Sequence, residues 1–366
     1  MDENNQNRYQ VIDPDSSKYK LTAEDLKKEK KGTKKKKHKA LKILIALLLV
    51  FAILAGGIYA YVDIKYLSKI NYDPLQLEID PTLDKEEALE FDGQAEADAN
   101  IKKNLDNNIL WYDDRIINIL LVGYDLGDIA PTYFPRCDTN IVISINTITN
   151  SINMVSLSRA TYAYIPGHGN RRINTAHAYG GAELLLETIR QNYKIRIDNY
   201  ITVDFDGFTK IIDILGGIDI DMDKTEARAV LGKSSAGTYH LNGAQALSYS
   251  RLRWTDNDRT RTGRQRKVLN TIASKLRGSS VQTLSNLLDE MLPLVTTDFT
   301  KVGILSQLTK ATSYLTMPVH EDIIPHKALP LSIRDGQEVL ILNWEYENDY
   351  LHKLLYPDMT PQSHQK

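Results

Sequence analysis

The sequence predicts an α/β fold, a central mixed β-sheet flanked by helices and preceded by one transmembrane helix. Three observations predict it. Short aliphatic runs of strand length alternate with segments whose apolar residues recur at helical spacing, which argues for helices packed on a sheet. The run Ile43–Val62, ILIALLLVFAILAGGIYAYV, contains no charged residue. Cys137 is the only cysteine among 366 residues, so the fold contains no internal disulfide and rests on its core.

The chain is 42% hydrophobic and 25% charged, which suffices for a sizeable core, and its net charge of -2 conceals strong segregation. Lys27, Lys28, Lys30, Lys31, Lys34, Lys35, Lys36, Lys37, Lys39 and Lys42 stand against a single Glu29. The apolar run follows at once. As a helix rising about 1.5 Å per residue it spans about 30 Å, the hydrocarbon thickness of a bilayer. A cleaved signal peptide fits less well, because the polar leader is long and the apolar run exceeds the usual h-region. The positive-inside rule puts residues 1–42 in the cytoplasm and 63–366 outside, with Tyr59 and Tyr61 at the outer interface. Beside a membrane span, the lysines read as a topology signal and a contact for anionic lipid, so no nucleic-acid partner is expected.

Residues 63–112 are polar and acidic and read as a stalk or small helical extension. The α/β domain is expected over 113–350, with 351–366 as a tail. Its strands are expected at Ile117–Val122, Asn140–Ile145, Ile152–Leu157, Tyr200–Phe205 and Ile218–Met222, with a hairpin turn at Asn150–Ser151. Helices are expected over Gly181–Tyr193, after an Asp206 N-cap as far as Gly216–Gly217, and over Asn242–Ser250, Thr262–Leu276, Val281–Leu292 and Lys301–Leu315. The stretch ILNWEYENDYLHKLLYP reads as extended.

The densest chemistry lies between Arg251 and Lys267, RLRWTDNDRTRTGRQRK. The apolar stripe Val268, Leu269, Ile272 and Leu276 starts a helix near Thr262, where Thr262 and Gln265 match a capping box. Arginines in a first turn add to the positive end of the helix dipole. A bound anion with several oxygens, such as phosphate or pyrophosphate, relieves that conflict through guanidinium forks and helix amides. Other charged residues cluster where strands begin or end: Asp125, Arg136, Asp138 and Arg159. Arginine suits a bidentate grip on phosphate oxygens, and carboxylates suit Mg²⁺. No CxxC, HExxH or dense His/Cys grouping suggests zinc. His177 has no second histidine or serine placed to form a triad and reads as a polar structural residue. If a base activates an incoming hydroxyl, Asp125 or Asp258 is preferred.

The run of INILLVGYD, RCDT, VSLSRATY, INTAHAYGG, VDFDGF, LGGIDI, HLNGAQALSYSRLR and DRTRTGRQRKVL over 116–277 resembles a LytR–CpsA–Psr domain, with its motifs in order. The resemblance implies a membrane-anchored extracellular phosphotransferase. Such an enzyme moves a glycopolymer, a teichoic acid or capsular-type polysaccharide, from a polyprenyl-pyrophosphate carrier to peptidoglycan, forms a phosphodiester, and uses Mg²⁺. Carried over by motif, Arg136, Arg159, Arg251 and Arg253 grip the pyrophosphate with Arg261 and Gln265 near it. Asp125 and Asp138 hold Mg²⁺, and Asp258 contacts the arginines or the metal; Arg159, Arg251, Arg253 and Asp258 form the catalytic set. Arg136-Cys137-Asp138 stands where the family reads R-S-D, and Arg159-Ala160 where R-D is usual. Ala160→Asp is therefore expected to tighten the Mg²⁺ dependence. Arg266 and Lys267 sit further into the helix and are expected to face solvent. A polyprenyl tail needs an apolar slot, for which Val203, Phe205, Phe208, Ile211, Ile212 and Leu215 are candidates. Two other classes remain open from sequence: a lipid-linked-glycan binding or sensory protein without turnover, and a transcriptional regulator, which the topology opposes.

Overall fold

The computed structural model describes residues 91–127, 133–252, 258–277, 290–327, 332–334, 337–357 and 362–363, with Leu83 and Leu287 as single positions. The lysine leader and the expected span at 43–62 lie outside them. Among the described residues no helix is long and apolar enough to cross a membrane.

After a short strand β1 (Ile109–Leu110), six strands form the central sheet: β2 (Ile116–Tyr124), β3 (Cys137–Asn146), β4 (Ser151–Leu157), β7 (Asn199–Asp204), β10 (Thr296–Thr297) and β11 (Val319–Ile324). Their order is β10-β7-β2-β3-β4-β11. The β7–β2 and β4–β11 pairs are parallel and the other three antiparallel, so the sheet is mixed. In β2, Ile116, Asn118, Leu120, Val122 and Tyr124 are fully buried, while the alternate residues are only partly so. That alternation follows from the two-residue period of a strand and separates two unlike faces. On the first face lies the main core. Leu120 and Val122 belong to it with Leu185, Ile189 and Tyr193 of α2 (Thr175–Tyr193) and Trp344, Leu351 and Leu355 of α8 (Trp344–Leu355). Ala97 and Ile101 of α1 (Gln94–Asp106), a helix within the acidic 63–112 segment, join the same core.

Over the other face lie α3 (Phe205–Ile214), α5 (Gly243–Arg251) and α6 (Asp258–Leu276). With the hairpin of β8 (Ile218–Met222) and β9 (Gly237–Leu241) they build a second apolar cluster around Ile212, Ile218, Ile220, Tyr249 and Val268. Helices α3 and α5 meet closely: a Cβ on Gly243 would fall 2.1 Å from the Thr209 carbonyl oxygen, so glycine is required there. The Gly243 amide also donates to Asp213 at 2.7 Å. Asn242 caps α5 in a capping box with Gln245.

Several local expectations differ from what forms. Strand β7 ends at Asp204, whose extended backbone lets its carboxylate accept from the Gly207 amide at 2.6 Å; Asp204 caps α3, and Asp206 lies inside its first turn. Helix α6 begins at Asp258, so Thr262 is internal and its hydroxyl donates back to the Arg259 carbonyl instead of capping. The supposedly extended end contains α8, capped by Asn343. Its buried stripe includes Glu347, Asn348 and His352, polar residues that hide the helical period from a hydrophobicity reading. The segment 281–292 lies mostly outside the described residues, which here include a 3-10 turn at Leu292–Leu294. Helix α7 (Lys301–Tyr314) forms as expected. The β5–β6 hairpin (Tyr162–Ile165, Gly169–Arg172), β9 and α4 (Lys224–Leu231) are four to eight residues long, too short for a period to show.

Candidate active site

Sheet register brings the charged strand ends together. Tyr124 at the end of β2 pairs with Cys137 at the start of β3 and with Asp204 at the end of β7. Ile141 of β3 pairs with Ser156 near the end of β4. Asp125, Asp138, Arg159 and Asp204 therefore share one end of the sheet although they span 80 residues of sequence. Asp138 accepts from Arg159 at 2.6 Å, with both side chains about three-quarters buried. Asp125 accepts from Arg251 at 3.3 Å in a more exposed pair.

Below this polar group the sheet and α3, α5 and α6 enclose a cavity of about 240 Å³. Leu121, Ile141, Ile201 and Val203 form its sheet wall, and Phe208 and Ile211 of α3 face them. Helix α6 supplies the opposite wall through Arg261, Gln265, Val268, Leu269 and Ile272. These positions lie on one stripe at helical spacing. The stripe is polar in its first two members and apolar beyond, so the cavity is greasy inside and cationic at its mouth. Asp138 and Arg251 complete that mouth. The Arg251 guanidinium lies 4.4 Å from the centre of the Phe205 ring, which orients it without consuming its hydrogen bonds. Arg261 is 4% exposed, and the Gln265 Oε1 is buried without a hydrogen-bond partner among the described residues. Of the expected lipid-slot residues, Val203, Phe205, Phe208 and Ile211 line the cavity, whereas Ile212 is packed in the second core cluster and Leu215 is buried.

The basic cluster divides. Arg251 and Arg261 face the cavity, but the others hold α6 in place. Arg259 donates to the carbonyls of Pro325 and His326 at 3.0 and 2.8 Å. Arg264 pairs with Glu226 at 2.7 Å. Arg266, expected to face solvent, is 8% exposed; it donates to Ser156 at 2.6 Å and pairs with Glu321 at 3.1 Å. Lys267 donates to the Asp221 carbonyl. Arg266 lies one helical turn before Leu269 and so shares the buried side of α6, where Ser156 and Glu321 of the sheet receive it. Arg253 lies outside the described residues, and of Asp258 only the helical backbone is described. Arg136 is half-buried just before β3, and like Asp125 and Arg159 it is not among the lining residues; Asp125 and Arg159 join the mouth through their ion pairs with Arg251 and Asp138.

The two departures from the family pattern are core positions. Cys137 is fully buried on the face opposite Asp138, its thiol donates to the Asn174 carbonyl at 3.6 Å, and burial pushes its pKa far up, so it is unreactive. Ala160 is 4% exposed in the main core and is absent from the cavity lining. A carboxylate there would enter apolar packing. His177 donates from Nδ1 to the Pro135 carbonyl at 2.7 Å and packs against Tyr124 and Phe134. Burial holds its pKa down, so it is a neutral structural ring.

The LytR_cpsA_psr family model matches residues 82–346, most of the chain. The chain belongs to the LytR–CpsA–Psr family. A polyisoprenyl-teichoic acid–peptidoglycan teichoic acid transferase TagU of Oceanobacillus iheyensis is 30% identical over 73% of this chain and 80% of its own length. The TagU of Enterococcus faecalis is 36% identical over 46% of this chain and 56% of its own. The chain thus spans little more than half the length of that relative. Among solved structures, YwtF (TagT) with bound octaprenyl pyrophosphate lipid shares the fold, with a TM-score of 0.51 over 67% of this chain and 93% of that one, at 21% identity. The mixed sheet flanked by helices is the LytR–CpsA–Psr domain fold.

The donor set is compatible with Mg²⁺. Asp125 and Asp138, each paired with an arginine, would offer hard oxygen donors at the mouth, and among the described residues no group of three His, Cys, Asp or Glu side chains gathers. Two carboxylates suffice for an ion that completes its shell with phosphate oxygens and water.

Proposed function

We propose that the protein is a membrane-anchored phosphotransferase that moves a glycopolymer of teichoic-acid or capsular type from a polyprenyl-pyrophosphate carrier to peptidoglycan. The observation that carries this reading is the cavity itself, an apolar slot closed at one end of the sheet by Asp138, Arg251, Arg261 and Gln265. Such a shape suits an amphiphile with an isoprenoid tail and a pyrophosphate head. The activities named for the TagU relatives agree with it. Arg159, Arg251 and Arg261 hold the pyrophosphate oxygens, with Arg136 and Arg253 assigned to the same task by motif. An acceptor hydroxyl attacks the glycosyl-bearing phosphorus. The new P–O bond forms as the P–O–P bridge breaks, and polyprenyl phosphate departs while the hydroxyl proton passes to a carboxylate, Asp125 or Asp258.

Charge spreads over the phosphoryl oxygens in the transition state, so fixed guanidinium donors supply most of the acceleration. Mg²⁺ held by Asp125 and Asp138 would neutralise the pyrophosphate charge. The leader 1–42 is cytoplasmic in this reading, residues 43–62 span the membrane, and the catalytic domain is external. The test is turnover: the full-length protein with Mg²⁺, a polyprenyl-pyrophosphate-linked glycan and peptidoglycan should release polyprenyl phosphate and label the wall polymer. Tight binding of the lipid with no product would assign a binding or sensory role instead.

A further inference from the structure

A second cavity, of about 370 Å³, opens at the other end of the sheet, between α1, the segment leading into β2, the end of α2 and α8. None of its lining residues lines the arginine-mouthed cavity. At its wall stands Lys194, the residue that ends α2 in the left-handed region at φ 58. Its side chain is long and cationic where asparagine or glycine would be conformationally easier. Lys194 is 8% exposed, and its ammonium makes no hydrogen bond or ion pair among the described residues. Burial lowers its pKa to about 8 against the opposing influence of Asp106. The acids at the rim do not neutralise it: Glu345 pairs with Lys103 at 2.8 Å and Asp349 with Lys353 at 2.7 Å. The side chain is largely desolvated while its ammonium keeps contact with the cavity, so an anion entering there could pair with it through a charge-assisted hydrogen bond.

Two further features mark the same cavity. Asn348 donates through Nδ2 to Asn104 and to the Asn192 carbonyl at 3.0 and 2.9 Å. Its Oδ1 is buried with no donor among the described residues, an unmet acceptor in the wall behind Lys194 and Trp111. Trp111 forms an aromatic wall, its indole stacked 4.8 Å from His352. His352 is fixed by donation to the Tyr193 carbonyl at 2.8 Å, and burial brings its pKa down to about 4, so the wall is rigid and uncharged at neutral pH. An aromatic face attracts the weakly positive C–H face of a sugar ring.

We infer that this cavity binds one saccharide unit carrying an anionic group, a carboxylate or a phosphate, with the anion on Lys194 and the ring against Trp111. The assignment stands apart from the transfer reading. It is tested on the full-length protein in detergent by titration with glucuronate, glucose 6-phosphate, glucose and inorganic phosphate, followed by calorimetry and tryptophan fluorescence. At least one sugar anion should bind in the millimolar range or tighter, and the tighter of the two identifies the group. Glucose and phosphate alone should each bind at least about tenfold more weakly, since a hydrogen bond to a charged group is worth roughly one decade in affinity or more.

Lys194→Met should weaken the sugar anion by a similar factor without changing transfer from the lipid-linked donor. Asn107→Asp provides a second variant that keeps the fold, because Asn107 is exposed at the rim and its Oδ1, which an aspartate retains, accepts from Ile109 at 3.1 Å. Its added negative charge should also weaken the sugar anion. Equal affinity for glucose, equal affinity for phosphate alone, no binding of either sugar anion, or wild-type binding by both variants would overturn the inference.

Discussion

Arg251 and Arg266 are two arginines of one basic run with opposite duties. Arg251 is half exposed at the cavity mouth, so Arg251→Ala should lower transfer tenfold or more while leaving thermal unfolding unchanged; removal of one fixed oxyanion donor commonly costs 10²–10³ in rate. Arg266→Ala should instead lower stability by about 2 kcal/mol in denaturant unfolding, because Ser156 and Glu321 lose their partner. Equal effects of both substitutions on transfer, with no loss of stability, would dissolve the distinction. The sequence made the run conspicuous but could not sort it. That sorting depends on which side of α6 the sheet covers, and Ser156 and Glu321, which receive Arg266, lie 110 and 55 residues away in sequence. Ala160 teaches the same lesson. Seen as a missing carboxylate it suggested weak metal binding, yet its burial predicts that Ala160→Asp unfolds more easily, by roughly 1–3 kcal/mol, with an unaltered Mg²⁺ midpoint. Unfolding titration and metal titration of the same variant decide between the two.

At the scale of elements, β2 and α6 carry the site. The aliphatic strands were legible because β2 buries one face in the core and half-exposes the other to the cavity, giving a run apolar on both sides. Helix α8 was not legible, since packing of Glu347, Asn348 and His352 against the core is visible only in three dimensions. Leu269 on the α6 stripe permits a test of the slot: Leu269→Trp should narrow it and penalise long polyprenyl chains more than short ones, read as a rise in KM that grows with chain length. A chain-length-independent effect would place the tail elsewhere. Lys194, at the end of α2, has a separate signature. Its folded pKa of about 8 lies below the unfolded value near 10.5, so the buried charge destabilises the fold at neutral pH. That penalty fades as pH rises between those values. Lys194→Met should therefore raise stability at pH 7 by ~1–2 kcal/mol once solvent screening is allowed for, and the gain should shrink toward pH 10.5.

For the whole molecule, the sheet acts as a partition with a core on one face and the amphiphile-shaped cavity on the other, and the charged strand ends converge where that cavity opens. Anchoring by residues 43–62 would keep the cavity near its lipid. Protease added to intact cells should then digest the external domain, and full protection of that domain would contradict the proposed topology. The central claim is that the cavity holds an isoprenoid pyrophosphate by its head at the arginine mouth. Calorimetric titration of octaprenyl pyrophosphate and octaprenol into the wild-type protein and Arg251→Ala tests it most directly. The account predicts that the pyrophosphate binds the wild type at least tenfold more tightly than the alcohol, and that the substitution removes most of this preference. Equal binding of the two lipids, or a preference that survives Arg251→Ala intact, would contradict it.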